Sequence, residues 1–138
     1  MFHYRKTFKT YNSFPKATTC AFCEDDLAGR SIEITEHAYL MPNRVFYDLW
    51  EQREVIDHLL IVPKQHVASL SQLDSDAKLQ IMEIMAEYES RGYNVYARAV
   101  GSKQRTVASH QHTHLIKTKP QQANAVLAMQ KPYILVKF

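Results

Sequence analysis

The sequence predicts a single domain, spanning residues 1–138, in which several β-strands are combined with one long α-helix. The chain has 138 residues, of which 46% are hydrophobic, which is enough for one core and too little for two. The segment at residues 58–62 is rich in branched residues and is stopped by Pro63, which is typical of a strand. Apolar residues at helical spacing from Ala77 to Tyr88 predict the helix.

In the first half of the chain, the predicted elements are an N-terminal extension and short strands. Residues up to Thr19 are polar and aromatic without a clear period, which indicates an extension or a first short helix. Residues 32–41 alternate loosely and predict one strand, or two broken by a turn, ending at Pro42. Residues 46–54 mix aromatic and charged side chains and are assigned to a loop ahead of the strand at 58–62.

The helix has recognisable ends as well as an apolar face. Asp74 or Ser75 can cap its first turn, and Gly92 can end it. Its apolar face is formed by Ala77, Ile81, Ile84, Met85 and Tyr88.

After the helix, strand patterns return. Residues 93–100 alternate as a strand, residues 101–109 form a polar connection, and residues 110–116 form a second strand. In the remaining tail we expect a short helix at 123–129 and a closing strand at 133–136.

Composition and charge restrict the classes of function. The net charge of +3 is too small to indicate nucleic-acid binding, because the basic residues are scattered without aromatic interleaving. An anionic small molecule would suit this charge as well. The basic N-terminus is not followed by an apolar segment, so no secretory signal is predicted. No run approaches the ~20 apolar residues that span a bilayer, and we expect a cytoplasmic protein without nucleic-acid or membrane partners.

Three histidines occupy alternate positions in the segment Ser-His-Gln-His-Thr-His-Leu-Ile, as His110, His112 and His114. Side chains alternate between faces in an extended strand, so the three imidazoles are predicted to share one face. One histidine on a strand is usually a satisfied polar group, but three in register are costly to explain by packing. Imidazole can act as nucleophile, proton carrier or metal ligand near neutral pH. At ~3.3 Å per residue the outer two stand ~13 Å apart, too far to bind one ion, so the three are expected to divide their roles.

The two cysteines of the chain form a Cys-x-x-Cys motif, Cys20 and Cys23. They could form a disulfide in an oxidising compartment or be redox-active in a thioredoxin-like protein, but the following segment lacks the strand-to-helix context of a redox motif. Metal binding is the third interpretation. A tetrahedral structural zinc site wants four thiolate or imidazole ligands, so two histidines must come from elsewhere. His66 and His110 are the candidates, which leaves His112 and His114 for chemistry.

Taken together, these motifs resemble the histidine triad (HIT) family of nucleotide-binding hydrolases and transferases. The resemblance rests on Cys-x-x-Cys, then His-Leu-Leu-Ile-Val-Pro-Lys-x-His over 58–66, a helix, a strand, and the alternate histidines, and it covers about residues 18–118. It implies an α+β fold, with an antiparallel sheet of about five strands and the long helix packed against it, commonly as a homodimer. It also implies chemistry at the α-phosphate of a nucleotide through a nucleotidyl-histidine.

The resemblance also assigns roles to individual residues. It implies that His112 is the nucleophile, that His114 hydrogen-bonds a phosphate oxygen, and that His58 is the family's upstream histidine. In zinc-containing relatives, including the galactose-phosphate uridylyltransferase branch, the matching ligands bind a structural ion, and the chemistry requires no catalytic metal. The zinc ligands implied here are Cys20, Cys23, His66 and His110.

The chain departs from the family pattern around the triad. The residues between the histidines are normally apolar, whereas Gln111 and Thr113 stand here, so we expect the opposite face of this strand to be less buried. The loop at 101–109 is one residue longer than usual. Its candidate phosphate contacts are Gln104, Thr106 and Ser109, and Arg98, at the position of the family's strand asparagine, is either a forked phosphate contact or a solvated surface residue.

The ribose-binding residue has two candidates. Asn43 directly follows the strand that ends near Met41, whereas Asp48 better preserves the distance to His58; we prefer Asn43. Residues 45–57 look like an insertion near the nucleotide. Their aromatic side chains could contact a base or form a satellite core, and these residues are Phe46, Tyr47 and Trp50.

Three functional hypotheses follow for a small-molecule nucleotide partner. The first is a hydrolase acting on a nucleoside phosphoramidate, a dinucleoside polyphosphate or a similar substrate. The second is a nucleotidyltransferase, favoured by the zinc pattern and disfavoured because the uridylyltransferase branch ends its motif with glutamine where His114 stands. The third is a nucleotide-binding module with little turnover, which the altered loop would allow.

Overall fold

The computed structural model describes residues 3–128 and 134–138. The chain divides into two compact units. Unit 1 contains the described residues of Met1–Pro15, Asn43–His58 and Ile116–Phe138, and unit 2 contains Lys16–Pro42 and Leu59–Leu115.

The described elements include four α-helices, eight strands and a short 3₁₀ turn. In chain order they are α1 (Arg5–Ser13), α2 (Ala21–Glu24), α3 (Leu27–Arg30), β1 (Glu33–Ile34), β2 (Ala38–Pro42), β3 (Leu49–Trp50), β4 (Arg53–Pro63), the 3₁₀ turn (Leu70–Gln72), α4 (Ser75–Ser90), β5 (Asn94–Tyr96), β6 (Thr113–Gln122), β7 (Ala125–Ala128) and β8 (Ile134–Lys137).

The predicted α+β fold is confirmed. Six strands form one sheet in the order β1-β2-β4-β6-β5, with β3 paired beside β4, one strand more than the sequence suggested. The pairs β1·β2, β2·β4 and β3·β4 are antiparallel. In unit 1, β7 and β8 form a separate antiparallel pair.

The core of unit 2 covers both faces of strand β4. Side chains alternate along a strand, so Leu59 and Ile61 join the cluster that packs on α4, whereas Leu60 and Val62 join a cluster with Leu27. Burial on both faces explains why this segment is continuously apolar instead of alternating.

The helix α4 begins and ends as the sequence predicts. The carboxylate of Asp74 accepts a hydrogen bond from the N–H of Ala77 at 2.8 Å, which caps the first turn. Gly92, with a φ of +85°, follows the C-cap residue Arg91, as expected for a glycine-terminated helix. The buried residues Ala77, Ile81, Ile84 and Tyr88 form the predicted apolar face.

Several predicted boundaries are wrong. Residues 46–54 are not one loop, because β3 and β4 form a hairpin there in which Trp50 pairs with Arg53. Its two connecting residues, Glu51 and Gln52, have φ values of +48° and +61°. Such a turn normally uses glycine or asparagine, so the sequence carries no signal for it. The strand β4 therefore begins at Arg53, five residues before the predicted start.

Other differences lie around the triad and in the tail. Strand β5 covers only residues 94–96, and β6 begins at Thr113, so His110 and His112 precede the strand. Residues 125–128 form strand β7 instead of the predicted helix, because their pairing with β8 overrides a weak local helix preference. Met129 and Tyr133, which ended and began two predicted tail elements, lie outside the described residues.

Candidate functional site

Four potential metal ligands lie together in unit 2. The ligand atoms of Cys20, Cys23, His66 and His110 are all within 4.8 Å of one another. Both sulfurs lie 3.6 Å from Nδ1 of His110, and tetrahedral zinc ligands at about 2.3 Å for sulfur and about 2.05 Å for nitrogen would be about 3.6 Å apart. Cys23 Sγ lies 3.0 Å from His66 Nδ1. These four residues could hold a metal ion, as the sequence predicts.

The turn that carries the cysteines is fixed by its own hydrogen bonds. The carbonyl of Cys20 accepts the N–H groups of Cys23 and Glu24, both at 3.0 Å, so one helical turn brings the two sulfurs together. The carboxylate of Glu24 accepts hydrogen bonds from the backbone and hydroxyl groups of Thr18 and Thr19. These bonds, first those from Thr19, lower the pKa of Glu24 to about 2. The carboxylate therefore ties the turn to the segment that precedes it.

His110 directs one ring nitrogen toward the sulfurs and the other toward the backbone. Its Nε2–H donates to the carbonyl of Pro63 at 2.8 Å, so Nδ1 carries no proton and presents its lone pair to the cysteines. A backbone partner of this kind fixes the tautomer of many metal-binding histidines. Burial lowers the pKa of His110, and His66 and Arg105 lower it further, against the opposing effect of the Pro63 bond. A neutral ring is the form that a metal needs.

His112 has the opposite arrangement. Its Nδ1–H donates to the carbonyl of His110 at 3.1 Å, so the lone pair is on Nε2. The side chain is only 7% exposed, and burial lowers its pKa to about 4. The ring of Phe22, the residue before Cys23, packs against the ring of His112 in a T-shaped arrangement at 5.2 Å between centroids. The result is a neutral imidazole with a defined nucleophilic nitrogen at pH 7.

His114 and the predicted phosphate contact Arg98 both belong to unit 2. The rings of His112 and His114 are 5.1 Å apart, and the ring of Tyr96 lies 5.9 Å from His114. Arg98 donates to Gln104 Oε1 at 2.9 Å and to the Tyr96 hydroxyl at 3.3 Å. Two candidates chosen separately from the sequence, Arg98 and Gln104, are therefore hydrogen-bonded to each other.

In the loop before the triad, burial does not follow the sequence prediction. The three predicted phosphate contacts, Gln104, Thr106 and Ser109, are exposed, whereas Arg105 is only 5% exposed. Sequence reasoning missed Arg105. The sequence did carry one signal for it, because Arg105 is a cation that lies between two candidate phosphate contacts, Gln104 and Thr106.

Another expectation about the triad segment is wrong. Gln111 and Thr113 were expected on a less buried face, but they are 4% and 0% exposed. Gln111 Nε2 donates to the hydroxyl of Thr113 at 3.0 Å, and its N–H donates to the carbonyl of Val67. This hydrogen bond satisfies one polar group of each side chain on the buried face, whereas Gln111 Oε1 has no hydrogen-bond partner among the described residues.

The remaining predicted residues belong to unit 1. His58 is fully buried, and Tyr47 contacts it in two ways: its N–H donates to Nδ1 at 3.2 Å and its ring lies 4.4 Å away. The amide nitrogen of Asn43 lies 3.3 Å from both ring nitrogens of His58. Trp50 stacks on Tyr47 at 6.2 Å and Phe46 lies 5.8 Å from His58, so these aromatic residues pack among themselves and around the histidine.

Asp48 makes its contacts with the N-terminal segment of unit 1. Its carboxylate accepts hydrogen bonds from the N–H of Tyr4 at 2.8 Å and the hydroxyl of Thr7 at 2.9 Å, and it lies 3.3 Å from Nδ1 of His3. Tyr4 is the residue that precedes α1. Asp48 therefore anchors the start of α1, whereas Asn43 contacts His58.

Comparison with solved structures shows that the chain has the HIT fold. It is similar to a HIT family hydrolase from Legionella pneumophila Philadelphia 1, with 18% identity, 83% of this chain and 99% of that chain covered, and a TM-score of 0.50. It is also similar to a HIT family hydrolase from Clostridium thermocellum, with 17% identity, 77% of this chain and 96% of that chain covered, and a TM-score of 0.53. A histidine triad protein from Clostridium difficile is similar with 19% identity, 80% of this chain and 99% of that chain covered, and a TM-score of 0.50.

The other comparisons add no relative. No protein-family model matches the sequence, and no curated protein matches it significantly. Among the described residues, no helix combines the length and apolar character needed to cross a membrane.

Proposed function

We propose that this chain is a histidine triad enzyme that hydrolyses a nucleotide derivative at its α-phosphate through a covalent bond to His112. The substrate class is a phosphoramidate, a dinucleoside polyphosphate or a similar molecule. The observation that carries the proposal is the hydrogen bond from His112 Nδ1–H to the carbonyl of His110. It leaves Nε2 as an unprotonated nucleophile on a ring that is held in place by the backbone.

The proposed reaction has two displacements at phosphorus. His112 Nε2 attacks the α-phosphorus, the bond from phosphorus to the leaving group breaks, and the leaving group takes a proton. Water then attacks the same phosphorus, the phosphorus–nitrogen bond breaks, and a nucleoside monophosphate leaves with His112 neutral again. Covalent catalysis of this kind replaces one difficult step by two easier ones. His114, whose ring is 5.1 Å from that of His112, is proposed to donate to a phosphate oxygen as charge develops.

We further propose that the metal is a structural zinc ion bound by Cys20, Cys23, His66 and His110. The 3.6 Å separations between the sulfurs and His110 Nδ1 support tetrahedral coordination. When bound, zinc would contribute to the free energy of folding at His110, the first histidine of the triad. The displacements proposed at His112 do not use it.

The remaining residue roles are proposed from the positions of these residues relative to the family motifs. His58 is proposed as the upstream catalytic histidine and Asn43, in preference to Asp48, as the ribose contact. Proposed contacts to phosphate are Arg98, Gln104, Thr106 and Ser109. A cytoplasmic homodimer is proposed for the assembly, which sedimentation equilibrium and fractionation of cells would test.

The test of the function is a panel of purine nucleoside phosphoramidates, dinucleoside polyphosphates and nucleotide sugars followed by phosphorus NMR. Hydrolysis should release a nucleoside monophosphate, whereas transfer to an added phosphate or sugar phosphate would identify a nucleotidyltransferase. Rapid acid quench with peptide mass spectrometry should be kept short, because a phosphorus–nitrogen adduct is labile to acid and stable to base. The adduct should be on His112, and an adduct on another residue would contradict the mechanism.

A further inference from the structure

Arg105 is a buried cation in the loop that precedes the triad. Its side chain is 5% exposed, and its Nη2 is buried without a hydrogen-bond partner among the residues that the structure describes. A guanidinium has five N–H donors and is charged at any physiological pH. Burying such a charge without a partner is costly, and proteins normally pair it. Burial accordingly lowers the pKa of Arg105.

The surroundings of Arg105 are those of the proposed reaction. Gln104, the residue before Arg105, accepts a hydrogen bond from Arg98 at 2.9 Å, and Arg98 also donates to the hydroxyl of Tyr96 at 3.3 Å. The ring of Tyr96 lies 5.9 Å from that of His114, a residue of the triad. The loop residue next to Arg105 is thus linked by contacts to a second cation, Arg98, and to the triad. A multiply charged anion is the ligand that such a site favours.

The neighbours of Arg105 in the loop do not share this arrangement. Lys103 is exposed, as are Gln104 and Thr106. The backbone N–H of Arg105 donates to the carbonyl of Ser102 at 3.0 Å, within a turn that includes Gly101 at a φ of +79°. The turn therefore places one cation of this loop inside the protein and leaves the other in solvent.

We propose that Arg105 is a phosphate-binding residue of the site around His112 and that its Nη2 donates to an oxygen of the substrate phosphate. The proposal rests on the proposed function for its substrate and adds a buried phosphate contact to the exposed loop residues proposed above. A forked guanidinium can bind two oxygens of one phosphate. The bound phosphate would supply the partner that Nη2 needs.

The inference is tested on metal-containing protein with inorganic phosphate and tripolyphosphate, which report binding without turnover. Thermal melting at constant ionic strength, with chloride as the reference anion, would compare wild type with Arg105→Met, which keeps an unbranched apolar stem. Without phosphate, Arg105→Met should melt as high as wild type or higher, because it removes a buried guanidinium whose Nη2 has no partner among the described residues. Its affinity for phosphate, measured by calorimetry, should fall about 10- to 100-fold.

Two further variants provide the controls. Lys103→Met removes the same charge from the exposed position of the same loop and should leave phosphate affinity within about twofold, as expected for a solvated cation. Arg105→Lys keeps the charge without the fork, and its affinity should lie between those of wild type and Arg105→Met. Arg105→Lys also serves if Arg105→Met does not fold. A lower melting temperature of Arg105→Met with an unchanged phosphate response would overturn the inference, as would a wild type that does not bind phosphate.

Failure of this inference can be distinguished from failure of the proposed function. If no nucleotide is hydrolysed but phosphate binding depends on Arg105, the inference stands and the proposed enzyme does not. If a nucleotide is hydrolysed through His112 while Arg105→Met leaves KM and kcat within about twofold, the enzyme stands and the role of Arg105 is rejected. Loss of one phosphate donor should otherwise reduce kcat/KM on the order of 10²-fold.

Discussion

His110 and His112 are separated by one residue, yet the backbone holds their rings in opposite tautomers. At His110 the carbonyl of Pro63 accepts from Nε2, and Nδ1 lies 3.6 Å from two sulfurs. At His112 the carbonyl of His110 accepts from Nδ1, which leaves the lone pair on Nε2. The metal cluster and the nucleophile of the proposed enzyme thus use the same residue type. The backbone acceptor decides which role each histidine can take.

His58, in unit 1, shows a third way to set a tautomer. There the backbone supplies a donor, because the N–H of Tyr47 points at Nδ1. An Nδ1 that accepts must be unprotonated, so the proton of the neutral ring is on Nε2. At each of the three histidines a backbone group therefore fixes which ring nitrogen carries the proton. Substitutions at the residues of the proposed site are expected to affect turnover, metal content and nucleotide binding separately.

The largest effect on turnover is expected from His112→Asn. The amide of asparagine can still donate toward the carbonyl of His110, so the fold and metal content should be retained while the nucleophile is lost. Turnover should fall by at least about 10⁴-fold, in the range seen when an enzyme loses its nucleophile. Single-turnover assays and elemental analysis measure the two quantities on the same sample.

His112→Ala provides a second variant with the same expectation for turnover. If either variant retained activity within tenfold of wild type, His112 would not be the nucleophile. If either variant lost metal, His112 would also be needed for metal binding, and the separate roles proposed for the zinc site and the nucleophile would be wrong.

The next effect is on stability and concerns the proposed zinc site. Protein prepared without chelator should contain about one zinc per chain, and removing it should lower the melting temperature, because metal binding free energy is also folding free energy. Cys20→Ser should reproduce the loss in the presence of zinc, since it removes one of the four proposed ligands at a buried position. Elemental analysis and calorimetric melting measure both quantities.

The matched control for Cys20→Ser is Ser109→Ala, a similarly small change at an exposed position beside His110. It should leave zinc content and melting unchanged. Protein without metal, or melting that a chelator does not affect, would contradict the zinc assignment.

A smaller effect is expected at His114. Replacing it by Ala removes one proposed donor to the phosphate and leaves His112 with its Nδ1 bond intact. Turnover should fall on the order of 10²-fold, as when one transition-state donor is removed. The covalent adduct should still form on His112, more slowly, and quench-flow kinetics would measure its rate. A loss as large as that of His112→Asn would indicate that His114 takes part in the covalent step itself.

Local patterns allowed the group of four potential metal ligands and the main helix to be predicted. Cys20 and Cys23 are one helical turn apart, and the caps and the apolar face of α4 are formed by residues close together in the sequence. The tautomers could not be predicted in this way. They depend on the carbonyls of Pro63 and His110, and the first of these is brought to its histidine by tertiary folding.

The failures have physical causes that can be named. The hairpin at Glu51 and Gln52 uses positive φ values without glycine or asparagine, so its turn was not evident. The burial of Arg105 follows from tertiary packing of a loop that looks uniformly polar in sequence. Residues 125–128 pair with 134–137, and a four-residue apolar run does not distinguish a strand from a helix.

The smallest effect distinguishes the two candidates for the ribose contact. Asn43→Ala should weaken nucleotide binding by about 1–3 kcal/mol, if its amide pairs with a ribose hydroxyl that would otherwise be unsatisfied. Asp48→Ala should instead reduce stability, because it removes the acceptor for Tyr4 N–H and the Thr7 hydroxyl at the start of α1. Titration calorimetry with a nucleoside monophosphate and thermal melting should therefore give opposite patterns for the two variants.

The control for the stability effect is Thr7→Val, which removes one of the two hydrogen bonds to Asp48 without touching the carboxylate. It should lower the melting temperature less than Asp48→Ala does and leave nucleotide binding unchanged, since the proposed ribose contact lies on Asn43. A binding defect confined to Asp48→Ala would move the ribose assignment to Asp48. In that case the contact of Asn43 with both ring nitrogens of His58 would serve to hold that histidine, and Asn43→Ala should reduce kcat without raising KM.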